Sequence, residues 1–146
     1  MSVTVDTNIL VYATDTGSDV GEAAQELIER LARGPDLLYV FWPALMGFIR
    51  VATHPAINER PLAPAEAVSS VAALLARPHV RAPGEGTDFL KIYESTAPPI
   101  TRGRQVPDAH IAALMRQHGV STIYTRDRDF RRFDGIRVED PFTAGA

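Results

Sequence analysis

Three groups of carboxylates occupy positions where they could act together: Asp6 directly after the β-rich residues 2–5, Asp108 in the first turn of an apolar periodic segment, and Asp127 with Asp129 in the run Thr125-Arg126-Asp127-Arg128-Asp129-Phe130. Each has a bland use of its own. An Asp after a strand forms a turn or caps a helix, one in a first helical turn complements the helix dipole, and aspartates between arginines make weak surface ion pairs. Brought into one pocket, carboxylates repel one another, and the usual remedy is a divalent cation with hard oxygen ligands. Mg²⁺ or Mn²⁺ held in this way supplies a water nucleophile and stabilises charge developing on a phosphate. The chemistry predicted from these residues is metal-assisted phosphodiester hydrolysis.

The elements that must position these groups are legible from periodicity. Strands are expected over residues 2–5, 37–41, 79–82, 121–124 and 136–138. Helices are expected over 7–13, 19–33, from Pro43 to near Thr53, from Pro64 to Ala76, over 87–95 with Thr87 as N-cap, and over 107–119, with a helical turn at 129–133. Residues 97–106 read as the longest irregular connection. Short strands alternating with helices imply an α/β fold: a three-layer α/β/α domain around a mostly parallel sheet. Ligands of such sheets bind beyond the carboxyl ends of the strands, where Asp6 and Asp127 fall.

Composition narrows the classes. A chain of 146 residues is expected to form a single domain over 1–146, burying roughly 70% of its unfolded surface. With no cysteine, thiolate metal sites, iron–sulfur clusters and cysteine nucleophiles are excluded. No window approaches the roughly 20 apolar residues of a membrane span, and no signal segment is visible, so a cytoplasmic protein without membrane contact is expected. Histidines at 54, 79, 110 and 118 lack zinc-site spacing. The net charge of −3 conceals a partition: residues 102–137 carry eight arginines against four aspartates, while residues 1–101 carry seven bases against twelve acids. Arg102, Arg104, Arg126 and Arg128, with Arg131 and Arg132, are the candidate phosphate track. Arg50 fits phosphate, an acidic partner or plain solvent equally well.

Four motifs in order, Val5-Asp6-Thr7-Asn8-Ile9-Leu10, Trp42 followed by Phe48-Ile49-Arg50-Val51-Ala52-Thr53-His54-Pro55, Pro107-Asp108-Ala109-His110-Ile111-Ala112-Ala113, and Thr125-Arg126-Asp127-Arg128-Asp129-Phe130, resemble the PIN-domain ribonucleases, specifically the VapC-type toxins of bacterial toxin–antitoxin pairs. The resemblance runs from residue 3 to about residue 141. It implies a Mg²⁺- or Mn²⁺-dependent endoribonuclease, inhibited by a small cognate antitoxin and forming a homodimer. It further implies that Asp6, Asp108 and Asp127 are acidic ligands with Asp129 as an accessory, and that Asn8 and Thr125 support the site. Thr125 either orients a carboxylate or satisfies only local backbone.

One position departs from the pattern. Where such toxins carry a glutamate in the second motif, this chain has Gly47, which supplies no ligand and costs about 1 kcal/mol in a helix interior relative to alanine. The expectation is weakened cleavage that Gly47→Glu restores. The alternatives are a catalytically impaired PIN domain that binds antitoxin or RNA, and a glycine kept for close helix packing. A receiver-like phosphoryl-transfer domain is disfavoured, because Asn8 stands where a second acid is needed and the single lysine, Lys91, falls within an expected helix.

Overall fold

The computed structural model describes residues 1–15 and 17–142. The strands β1 (Val3–Val5), β2 (Leu38–Tyr39), β3 (Val80–Arg81), β4 (Thr122–Tyr124) and β5 (Arg137–Glu139) form one sheet in the order β3-β2-β1-β4-β5. Every pairing is parallel, with Val3, Thr4 and Val5 opposite Thr122, Ile123 and Tyr124. Six helices connect or flank the strands: α1 (Thr7–Tyr12), α2 (Asp19–Ala32), α3 (Trp42–Ala52), α4 (Pro64–Leu75), α5 (Phe89–Thr96) and α6 (Val106–Gln117), with 3₁₀ turns at Gly103–Gln105 and Arg128–Arg132.

Parallel strands are covered on both faces, and the core accordingly falls into two clusters. On one face Val3, Val5 and Leu38 meet Ile9, Leu27, Leu45, Phe48 and Val71 from α1 to α4. On the other, Ile123 and Phe41 meet Ile111, Leu114 and Met115 of α6, with Phe89 and Tyr93 of α5 against them. Connections leaving β1 and β2 therefore pack on one side, and the connection from β3 to β4 on the other. The order reverses between β1 and β4, the switch point where the outgoing chains diverge and leave a crevice. Asp6 ends β1 at one side of that crevice and Thr125 follows β4 at the other.

The all-parallel sheet and its two helical layers match the expected architecture, and differences are confined to element ends. The run 37–41 yields only two ladder residues. Phe41 leaves the ladder as the residue preceding α3, which opens at Trp42 with Pro43 in its first turn, where a missing N–H costs nothing. Trp42 is 40% exposed and ties the helix start to the β3 end through Nε1–H donated to Ala82 O at 3.2 Å. Thr87 does not cap α5: its carbonyl accepts from Gln117 Nε2 at 3.0 Å, and Asp88 takes the cap position at φ 61. The irregular connection contains the 3₁₀ turn, so α6 begins one residue early, at Val106, and its chain turns away at Gly119, φ 71.

Candidate active site

Asp6 is the residue on which the site is built. Its backbone N–H donates to Tyr124 O at 3.0 Å, continuing the β1–β4 ladder, and its side chain caps α1, Oδ1 accepting from Thr7 N at 2.7 Å. The capping role and a role in the site coexist, because Oδ2 is turned to the β4 end and accepts from Thr125 Oγ1 at 2.9 Å. Asp6 is only 6% exposed. Burial holds its carboxyl above the ordinary aspartate value; the bonds from Thr125 and Thr7 oppose that and the Asp127 charge adds to it.

Thr125 is fully enclosed and serves as the hub. Besides donating to Asp6, its Oγ1 accepts from Asp127 N at 2.9 Å and from Asn8 Nδ2 at 3.4 Å. The hydroxyl thus orients a carboxylate and satisfies local backbone at once. Asp127 Oδ1 accepts from Asp129 N at 2.9 Å, which starts the 3₁₀ turn.

Asp108 arrives from the first turn of α6, half-buried, and its carboxyl is pushed up to about 7. Burial is the largest cause, followed by the charges of Asp6 and then Asp127; Arg132 acts in the opposite direction, and a hydrogen bond with Asp127 favours the protonated form. Three aspartates from three elements therefore sense one another. Asp129 does not join them, being exposed and absent from the charges that act on Asp6 and Asp108.

An open cleft of about 740 Å³ is walled by Asp6, Asn8, Gly47, Arg50, Arg104 and Asp108, with Asp127 behind its lining. The donor set is one of hard oxygens, and the repulsion that raises Asp108 is what a divalent cation relieves. Among the described residues, no three His, Cys, Asp or Glu side chains close on a common point to enclose an ion. Mg²⁺ fits hard oxygens that do not form a closed cage, since it keeps several waters of its own.

A family model for the PIN domain matches residues 3–136. Ribonuclease VapC48 of Mycobacterium tuberculosis is 48% identical over 144 residues, 98% of this chain and 99% of that protein. The chain belongs to the PIN-domain family, in its VapC branch. Ribonuclease VapC37 of the same species is 33% identical over 138 residues, spanning 94% of this chain and 95% of the relative. The fold agrees with solved structures. VapC20 of Mycobacterium tuberculosis, a sarcin–ricin loop cleaving toxin, superposes with a TM-score of 0.62 at 22% identity over 92% of this chain and 98% of its own. VapBC2 of Rickettsia felis, bound to a promoter DNA fragment, gives 0.65 at 17% identity over 95% and 98%.

In this VapC-family chain Gly47 faces the cleft and also α1. A Cβ there would stand 2.8 Å from Thr7 Oγ1 and 3.2 Å from its Cγ2. Thr7 Oγ1 is itself engaged, donating to Ala44 O at 3.2 Å. The close-packing use of the glycine is therefore present in the structure, and a glutamate can enter only if α1 and α3 separate or Thr7 rotates.

The expected arginines scatter. Arg104, in the 3₁₀ turn before α6, lines the cleft. Arg102 caps that turn through its backbone N–H, which donates to Gln105 Oε1 at 3.2 Å. Arg126 lies over the rings of Tyr12 at 5.8 Å and Phe142 at 5.3 Å, and Arg128 is exposed at the start of the second 3₁₀ turn. Two arginines gain importance: Arg50, which lines the cleft, and Arg132, which acts on Asp108 and stacks at 4.6 Å over Phe133. Arg50 was findable, since it follows Gly47 by three residues on one helix and so shares its face. His110 also reaches the cleft wall, its Nε2 paired with Glu85 Oε2 at 3.2 Å and its ring 5.5 Å from Phe89, contacts that fit a packing role.

Proposed function

We propose that the chain is the toxin of a toxin–antitoxin pair and cleaves RNA as a divalent-cation-dependent endoribonuclease, with Asp6, Asp108 and Asp127 as the acidic ligands. The observation that carries the reading is their convergence at the β1/β4 switch point, with Asp108 pushed up to about 7 by burial and by Asp6 and Asp127. The VapC ribonucleases it resembles over nearly its full length support the reaction class, and the VapBC assembly among its structural relatives supports a small antitoxin as partner.

When bound, the ion supplies an acidified water and offsets charge developing on the phosphate. The chain does the rest. Thr125 fixes Asp6 Oδ2 and the Asp127 backbone in one register, so the carboxylates are preset before substrate arrives. Arg50 and Arg104 line the cleft without an ion pair among the described residues, leaving both guanidinium groups to take phosphate oxygens.

A second reading rests on Gly47: an impaired PIN domain that binds antitoxin or RNA and turns over slowly. Cleavage of a labelled RNA with Mn²⁺ and with chelator separates the two, using Asp6→Asn as the dead reference. The nuclease reading predicts metal-dependent cleavage far above Asp6→Asn; rates indistinguishable from that variant select the binding module.

A further inference from the structure

Asp6, Thr7 and Asn8 are consecutive, and all three contribute to the cleft wall. Thr125 Oγ1 has a single proton, given to Asp6 Oδ2, so toward Asn8 it can only accept. That turns the Asn8 amide nitrogen to Thr125, at 3.4 Å, and its carbonyl oxygen the other way. Asn8 Oδ1 is buried and has no hydrogen-bond partner. Enclosed acceptors of this kind are rare, because leaving one unsatisfied forfeits its hydration. On the facing helix the cleft wall is formed by Gly47, which brings no oxygen donor of its own.

We propose that Asn8 Oδ1 is a neutral oxygen donor to the divalent cation, its missing hydrogen-bond partner being the ion. The inference rests on the metal-dependent reading above and adds a ligand to it. Amide oxygens are hard donors of the type Mg²⁺ and Mn²⁺ accept. A neutral one suits this site, where burial and neighbouring aspartate charges already hold the Asp6 and Asp108 carboxyls above the ordinary value. It also adds a donor to a cleft wall that carries the carboxyls of Asp6 and Asp108.

The test is Mn²⁺ binding to the full chain, stripped of metal and without RNA, followed by calorimetry and by the thermal midpoint, in the wild type, Asn8→Ala, Asn8→Asp and Asp108→Asn. The expected result is binding by the wild type, loss in Asp108→Asn, an affinity lowered roughly 10- to 100-fold in Asn8→Ala, and wild-type or tighter binding in Asn8→Asp, which keeps an oxygen and adds charge. Asn8→Ala binding Mn²⁺ as the wild type does, with Asp108→Asn still defective, overturns the role of Asn8 and leaves the metal site standing. Weaker binding by Asn8→Asp than by a folded Asn8→Ala also overturns it. A wild type that binds no Mn²⁺, or an Asp108→Asn variant that binds normally, overturns both the inference and the reading beneath it.

Discussion

The informative residue is the one without a side chain. Gly47 read from sequence is a missing ligand; beside Thr7 it is a close approach of two helices, and the two descriptions carry opposite expectations for substitution. Gly47→Ala gains about 1 kcal/mol of helix propensity but forces a Cβ to 2.8 Å from Thr7 Oγ1, overpacking that typically costs about 1–3 kcal/mol. A lower urea midpoint is expected, with Thr7→Ala relieving part of the loss in the double variant, since residues in contact are not additive. Full additivity in that cycle would remove the packing explanation. Gly47→Glu alone is therefore not a clean restoration of activity. The chain offered close helix packing only as an alternative, because the contact joins residues forty apart through a helix crossing, whereas the ends of β1 and α6 that place Asp6 and Asp108 were readable by period.

At the scale of elements, the strand ends do the positioning. β1 and β4 are adjacent and in register, Thr4 opposite Ile123, so the residues just beyond them meet without any loop having to reach. Thr125→Val removes the hydroxyl that serves Asp6, Asp127 and Asn8 and leaves a buried carboxylate oxygen unpaired, a loss of about 1–3 kcal/mol in denaturant unfolding. Thr125→Ser keeps the hydroxyl and should restore most of it; equal losses in both variants would show that the methyl, not the hydrogen bonds, matters. Strand existence, order of elements and helix spans were legible because alternating short β-rich runs and amphipathic helices admit few layouts. The ends were not, since Phe41 and Thr87 are taken by tertiary partners, the opposite core cluster for one and Gln117 for the other.

For the whole molecule, charge is the quantity that ties fold to function. The basic run 102–137 predicted arginines round the pocket, and the fold uses them unevenly: Arg104 lines the cleft and Arg132 acts on Asp108, while Arg126 is spent on the Tyr12 and Phe142 rings. That stacking depends on residues more than a hundred positions from Tyr12, beyond the reach of local pattern. The raised Asp108 carboxyl has a thermodynamic signature. Between the ordinary value of 3.8 and about 7 the folded chain holds a proton that the unfolded chain releases, so without metal this group's contribution to stability is greatest at the acid end of that window and declines as pH rises across it. Asp108→Asn should flatten the decline, and saturating Mn²⁺ should raise the midpoint most at the alkaline end, where the ligands are already ionised. Thermal unfolding from pH 5 to 8 with and without Mn²⁺ checks both signs, and a slope unchanged in Asp108→Asn would mean another group is responsible.

Whether Asp6, Asp108 and Asp127 at the β1/β4 switch point hold the cation with which this chain cuts RNA is tested by the initial rate of cleavage of a labelled RNA as a function of Mn²⁺ concentration, for the wild type and Asp108→Asn at matched folded concentration. The rate is expected to rise with Mn²⁺ and saturate in the wild type and to fall by about two orders of magnitude or more in the variant, the scale of losing several kcal/mol of transition-state stabilisation. Cleavage by the wild type that persists unchanged in chelator, or an Asp108→Asn rate equal to the wild type at every Mn²⁺ concentration, would contradict it.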